Sequence, residues 1–263
     1  MNKEKAIFEN KEAEPKHNLV TAYFLRHGRT EYLENKASEE QRTSMEGIFP
    51  RDLTVEGESE VRETAKKIIK KINPENDIVV LWSSPAWRAQ GSEEIIKEEL
   101  KKNGIAVYKD RAISSMKNFD YYDKEYMDDL WNKLTLAGES PELMYARDSD
   151  FQEKNDKFES QPEVKERAER VFNYIRYLAE HINLKGKRLC IVGVSHFEFL
   201  NPIMEDIFGP KVETNEGINK GEDIEFNFDY NPGTKNTSVS VEFRGESKDG
   251  IIFDKEKRNF IIN

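Results

Sequence analysis

Apolar positions along the chain follow two patterns: short unbroken runs, and stripes that recur every three to four residues. The first run is Leu19, Val20, Ala22, Tyr23, Phe24 and Leu25. It contains a β-branched residue and two aromatics and predicts a buried strand over 19–25. Over 54–72 the pattern becomes Val61, Ala65, Ile68, Ile69 and Ile72, a helical stripe. Glu56 and Glu58 stand at its start, where a helix dipole favours negative charge. Ile78 to Trp82 is again short and wholly apolar. Ser84-Pro85 then has the chemistry of an N-cap followed by proline at the first helical position, and the helix it opens is expected to stop at Asn103-Gly104. Ile105 to Tyr108 predicts a further strand. From Pro162, the residues Val164, Ala168, Val171, Phe172, Ile175, Leu178, Ala179 and Ile182 define a long amphipathic helix that ends before Gly186. Leu189 to Val194 reads as a strand and Phe197 to Phe208 as the helix directly after it, closed by Gly209-Pro210. Strands alternating with helices predict an α/β fold, a three-layer α/β/α sandwich around a mostly parallel central sheet.

Three segments break this alternation. Residues 1–17 are charged throughout and read as an N-terminal tail, leaving 18–263 as a single domain. Residues 113–160 are irregular, acidic and aromatic, with Phe119, Tyr121, Tyr122, Tyr126 and Trp131, and read as an inserted helical cap whose aromatics pack against one another. Residues 211–263 form a β-rich extension, in which Ile224–Phe228, Ser238–Phe243, Ile251–Phe253 and Asn259–Ile262 alternate between Gly, Asn and Pro turns. They predict edge strands and hairpins added to the sheet.

Composition narrows the partners. Charged residues make up 35% of the 263 and the formal net charge is −10, a balance that argues against nucleic acid or an anionic membrane. Any phosphate site must then be a local basic pocket in a negative protein. No run is long and apolar enough to span a bilayer. The one cysteine, Cys190, lies inside an apolar run, which suits inert packing and a reducing cytoplasmic setting. The four histidines and one cysteine show no zinc spacing, so no metal or cofactor is expected.

The candidate chemistry lies at three strand ends. Arg26-His27-Gly28 closes the first apolar run, Arg88 falls in the first turn of the helix after the second, and His196 follows the run that ends at Val194. In open α/β sheets the carboxyl ends of the strands line a common crevice, and helix N-termini there favour anions. Two arginines, two imidazoles and helix N-termini in one crevice suit a dianionic phosphoryl group. The glycine allows close backbone approach. Singly, each has a plainer explanation: His27 as a strand cap, Arg88 as a surface residue, His196 as a helix cap. His17 in the tail and His181 near a helix C-terminus are left outside the site, as is Arg29.

These residues carry a resemblance. Phe24-Leu-Arg-His-Gly-Arg-Thr-Glu31, Asp52-Leu-Thr-Val-Glu-Gly-Glu58, Ser83-Ser-Pro-Ala-Trp-Arg-Ala89 with Ser92 and Glu94, and Ile191-Val-Gly-Val-Ser-His196 stand in the order of the histidine phosphatase superfamily, the phosphoglycerate-mutase-like fold. Asn236 to Val241 resembles its final strand. The resemblance implies that His27 takes the phosphoryl group as a phosphohistidine, which water then hydrolyses. It also implies that Arg26, Arg88 and His196 hold the equatorial oxygens, and that Thr30 adds a hydroxyl.

Three positions depart from the family pattern. Ser115 stands where a glutamate usually serves as general acid, so either Asp120, Asp123 or Glu125 substitutes from the cap, with Asp120 preferred, or the protein favours good leaving groups such as acyl phosphates and phosphoamidates, or is a poor catalyst. Leu33 replaces a phosphate-binding asparagine, and Asn35 is out of register. Phe197 replaces a common glycine and is expected to narrow the pocket mouth. The implied activity is a metal-independent phosphatase for a small phosphorylated substrate. The alternatives are a phosphoglycerate mutase, or a catalytically weak relative that binds a phosphorylated ligand as a regulatory module.

Overall fold

In the structure, a computed structural model, residues 18–31, 33, 38, 51–138, 145, 151, 153–209, 217–254 and 259–262 are described. The expected tail at 1–17, Asn35 and Pro210 lie outside them.

Strand β1 (Asn18–Arg26) is followed by helix α1 (Val55–Lys71), β2 (Asp77–Ser83), α2 (Trp87–Lys102) and β3 (Val107–Ala112). A 3-10 turn (Ser114–Met116) and helix α3 (Lys124–Ala137) come next. Then follow α4 (Gln161–His181), β4 (Arg188–Ser195), α5 (Phe197–Phe208), β5 (Asp223–Asn231), β6 (Asn236–Phe243) and β7 (Glu246–Asp249). A separate hairpin, β8 (Ile251–Asp254) and β9 (Asn259–Ile262), ends the series. The seven-stranded sheet has the order β3-β2-β4-β1-β5-β6-β7. Strands β1 to β4 pair in parallel, while β5 joins β1 antiparallel and passes the antiparallel pairing on to β6 and β7.

The period-two pattern of β1 sorts its side chains onto two cores. Val20, Ala22 and Phe24 face one apolar cluster with α4, α5 and the cap. Tyr23 and Leu25 face a second cluster with Val61, Ala65 and Ile68 of α1 and Ile95, Ile96 and Leu100 of α2. Neighbouring β4 divides in the same way, with Ile191 on the first side and Cys190, Val192 and Val194 on the second. Gly193 leaves room for the Phe24 ring, which a Cβ there would overlap. Helices therefore cover both faces of a largely parallel sheet, as the alternation of elements implies. Burial pushes the Cys190 thiol up to about 12, which suits an inert core residue.

Helix starts follow their capping chemistry, with one correction. Thr54 caps α1 by accepting from the Gly57 amide at 3.0 Å. Ser160 and Glu163 form a capping box at the head of α4. Ser84-Pro85 does not open α2. Its N-cap is Ala86, with no side-chain cap, and the hydroxyl of Ser84 is used elsewhere. Strand β3 also runs later than the apolar residues suggest, over 107–112, because an outer strand needs few buried positions. Strand β5, expected at an edge, lies between β1 and β6.

The cap aromatics pack together. Phe119 stacks on Tyr145 at 4.7 Å, and Phe151 on Phe158 at 4.1 Å. Tyr121 and Tyr122 remain exposed. Arg167 of α4 anchors this segment. It is buried and donates to both carboxylate oxygens of Glu159, at 2.9 and 2.8 Å, and to the carbonyls of Ser115, Lys117 and Asn118, each at 2.8 Å.

Candidate active site

Parallel pairing of β4 with β1 on one side and β2 on the other aligns three strand ends. Arg26 stands opposite Ser195, and Ser83 opposite Val194. His27 continues the ladder by donating its amide to the Ser195 carbonyl at 3.0 Å, and the Ser84 amide does the same to Val194 at 2.9 Å. His196 then caps α5, and Arg88 occupies the second position of α2. Arg26, His27, Arg88 and His196 are all buried, at 5, 4, 8 and 1% exposure.

The two imidazoles face each other edge to face, with ring centroids 5.1 Å apart. His27 Nδ1 lies 2.8 Å from the carbonyl oxygen of Gly28. A carbonyl only accepts, so Nδ1 carries the proton. Nε2 is the basic nitrogen and receives Nε–H of Arg88 at 3.3 Å. His196 Nε2 is 2.7 Å from the Ser84 hydroxyl, while its buried Nδ1 has no hydrogen-bond partner among the described residues. Behind it, Ser195 donates to the Met116 carbonyl at 2.5 Å, tying β4 to the 3-10 turn.

Arg26 donates through Nη1 to the Ile218 carbonyl at 2.9 Å, and its guanidinium lies 5.0 Å over the Phe197 ring. Phe197 is therefore buried beneath Arg26, not set to narrow a mouth. Gly28 also has a more local role than close approach to a substrate. A Cβ there would overlap the carbonyl oxygen of Gly57, and one at Gly57 would overlap that of Arg29. The loop after β1 thus lies directly on the start of α1. The Gly28 amide reaches the Ser92 hydroxyl at 3.3 Å, and Ser92 donates to the Arg88 carbonyl at 2.8 Å, joining the two strand-end loops.

Arg26, His27, Arg88 and His196 thus meet. Thr30 sits half-buried three residues past His27. Asp120 lies on the cap, its carboxylate 43% exposed and 2.6 Å from Lys117 Nζ, with its backbone paired to Glu159. Leu33 is exposed, and its amide donates to Asp52 at 2.7 Å. Ser115 is half-buried, its carbonyl held by Arg167. His181 bonds the Tyr177 carbonyl on its own helix at 2.9 Å. Sequence reasoning missed Ser84 as the partner of His196, and it missed the 217–222 loop. That loop supplies the Ile218 carbonyl and places the Lys220 charge near His27. Among the described residues no cluster of His, Cys, Asp and Glu could hold a metal ion, and no helix is long and apolar enough to cross a membrane.

Burial foremost, then the charges of Arg88 and Arg26, holds His27 well below the usual imidazole range. Burial, Arg88, His27 and Arg26 do the same to His196. Both rings are neutral in the folded protein, whereas the unfolded chain takes up protons below about pH 6.5. Their stabilising contribution is therefore complete above that value and lost as pH falls below it, by up to ~1.4 kcal/mol per ring per pH unit. Urea midpoints from pH 8 to 5.5 should fall more steeply for the wild type than for a His27→Asn/His196→Asn variant. Parallel curves would exclude these rings as the cause.

The fold has counterparts among solved structures. A mycobacterial hydrolase designated 2 is 12% identical with a TM-score of 0.52, over 91% of this chain and 95% of that one. A second, designated 1, is 11% identical with a TM-score of 0.51, over 88% of this chain and 100% of that one. A Hafnia alvei phytase in complex with myo-inositol hexakis sulphate is 12% identical with a TM-score of 0.41, over 87% and 85% of the two chains. No curated protein matches the sequence significantly. The family model of the histidine phosphatase superfamily (branch 1) matches residues 22–220, a span that holds all four converging side chains and stops just short of β5. The chain belongs to that superfamily.

Proposed function

We propose that this protein is a metal-independent phosphomonoesterase that hydrolyses a small phosphorylated substrate through a phosphohistidine on His27. The observation that carries the reading is the state of His27. Its Nδ1–H is bonded to the Gly28 carbonyl, so the Nε2 lone pair points to the side where Arg88 and the His196 ring converge. A phosphoryl group seated there meets a neutral, correctly aimed nucleophile beside fixed positive charge. Arg26, Arg88 and His196 hold the equatorial oxygens, and Thr30 adds a hydroxyl from the edge. The new bond joins Nε2 to phosphorus as the ester P–O bond breaks. Water then attacks phosphorus, the N–P bond breaks, and inorganic phosphate leaves. The superfamily membership and the convergence of these four residues support this reading. The lone buried thiol of Cys190 suits a reducing cytoplasm.

Turnover of p-nitrophenyl phosphate in EDTA tests the proposal. Phosphate binding without turnover would favour a regulatory binding module instead, and phosphoryl exchange between 2- and 3-phosphoglycerate would favour a mutase.

The leaving oxygen needs a proton, which we assign to Asp120. Its contact with Lys117 has to break for the carboxyl to carry that proton. Asp120→Asn is expected to slow an alkyl phosphate about 10²-fold while changing p-nitrophenyl phosphate little, because nitrophenolate leaves without help. Equal effects on both substrates would remove Asp120 from the role.

A further inference from the structure

Phe197 follows His196 directly at the head of α5, and its surroundings give it a specific task. The Arg26 guanidinium lies 5.0 Å over its ring and is also bonded to the Ile218 carbonyl at 2.9 Å. Ile218 is held in turn: its amide reaches Asn201 Oδ1 at 3.4 Å, and Asn201 donates to Glu205 at 2.8 Å. Asn201 lies one turn beyond Phe197 on α5. Gly217 lies against both, since a Cβ there would overlap Asn201 Oδ1 and the Phe197 ring. One face of α5 therefore fixes both supports of Arg26, while the N-cap of the same helix is His196.

We propose that Phe197 is a positioning residue for the phosphate site, holding the Arg26 guanidinium through the face of its ring so that Arg26 and His196 are set by a single helix. This rests on the phosphatase reading above. A guanidinium on a flexible stem has many rotamers, and an oxyanion site gains only from the one that is already in place. An aromatic face attracts the cation without acting as a conventional acceptor, and the attraction strengthens where water is excluded. Both partners are buried, Phe197 at 4% exposure. The ring thus holds Arg26 through its face, without taking a conventional hydrogen bond from the guanidinium.

The test is binding of inorganic phosphate to the full chain, measured by titration calorimetry, with Phe197 replaced by mono-, di- and trifluorinated phenylalanines. Fluorination drains the negative face of the ring at nearly constant shape, so packing is kept and thermal midpoints should hold. We expect Kd to rise stepwise, reaching about tenfold at three fluorines. Phe197→Leu should weaken binding similarly. In an Arg26→Ala background the fluorinated series should have no further effect. A flat series on a wild type that binds phosphate overturns this role for Phe197 and leaves the phosphatase reading standing, as does equal weakening in the Arg26→Ala background. A wild type that does not bind phosphate overturns both.

Discussion

Replacing His27 with alanine is expected to lower metal-free turnover of p-nitrophenyl phosphate by at least ~10³-fold, while phosphate still binds. Nδ1 of His27 is committed to the Gly28 carbonyl, which leaves Nε2 as the basic nitrogen of this buried ring, aimed to the side where Arg88 and the His196 ring converge. Arg26 ends β1 just before His27, while Arg88 and His196 stand at the heads of α2 and α5, so the two guanidinium charges that attract the anion survive the substitution. Binding and chemistry should therefore separate: inorganic phosphate affinity is kept while turnover disappears. The matching direct measurement is trapping of a phosphoenzyme. Wild type quenched in base during turnover should carry an acid-labile, base-stable phosphoryl group that the variant lacks. A variant keeping a tenth of wild-type turnover would move the nucleophile elsewhere.

The largest expected effect on stability is at Arg167. Substitution by methionine keeps much of the side-chain volume but removes five hydrogen bonds and leaves the Glu159 carboxylate buried without its partner. Breaking a buried ion pair from one side costs about 3–5 kcal/mol, and three carbonyls of the 115–118 segment lose their donor as well. A double Arg167→Met/Glu159→Gln variant should recover part of the loss, because the uncompensated charge is gone. Urea denaturation measures both. Amide exchange should also speed up across 115–120 before the sheet is affected, since this segment depends on the guanidinium for its anchoring. A loss below 1 kcal/mol would mean that the segment holds itself.

Much of this architecture could be read from residue order because each buried strand is a short apolar run and each helix a clean stripe. The same runs locate Arg26, His27, Arg88 and His196, since a chain leaving a parallel strand must emerge at one edge of the sheet. Other features leave no such trace. Ser84 looks like a helix cap because serine before proline so often is one, yet its hydroxyl serves His196 across the sheet, a contact no local pattern encodes. The 217–222 loop has neither periodicity nor a motif, so the support of Arg26 by the Ile218 carbonyl is invisible until the fold is known. Phe197 signalled only bulk; that its face meets a guanidinium depends on which way α5 turns. Strand β5 read as an edge addition because its alternating pattern fits an edge as well as an interior antiparallel position. Pairing with β1 decided between them.

Strand β1 has neighbours that are made late. Its parallel partner begins at Arg188 and its antiparallel partner at Asp223, so neither flank exists when residues 18–26 leave the ribosome. A central strand built wholly from non-local pairings raises contact order and slows folding, and until it is flanked it exposes two unsatisfied edges. Helices α1 and α2, which contact each other and share an apolar cluster, can associate on a nascent chain well before then. Catalytic competence should accordingly appear in a single late step, when β5 closes over the strand that ends in Arg26.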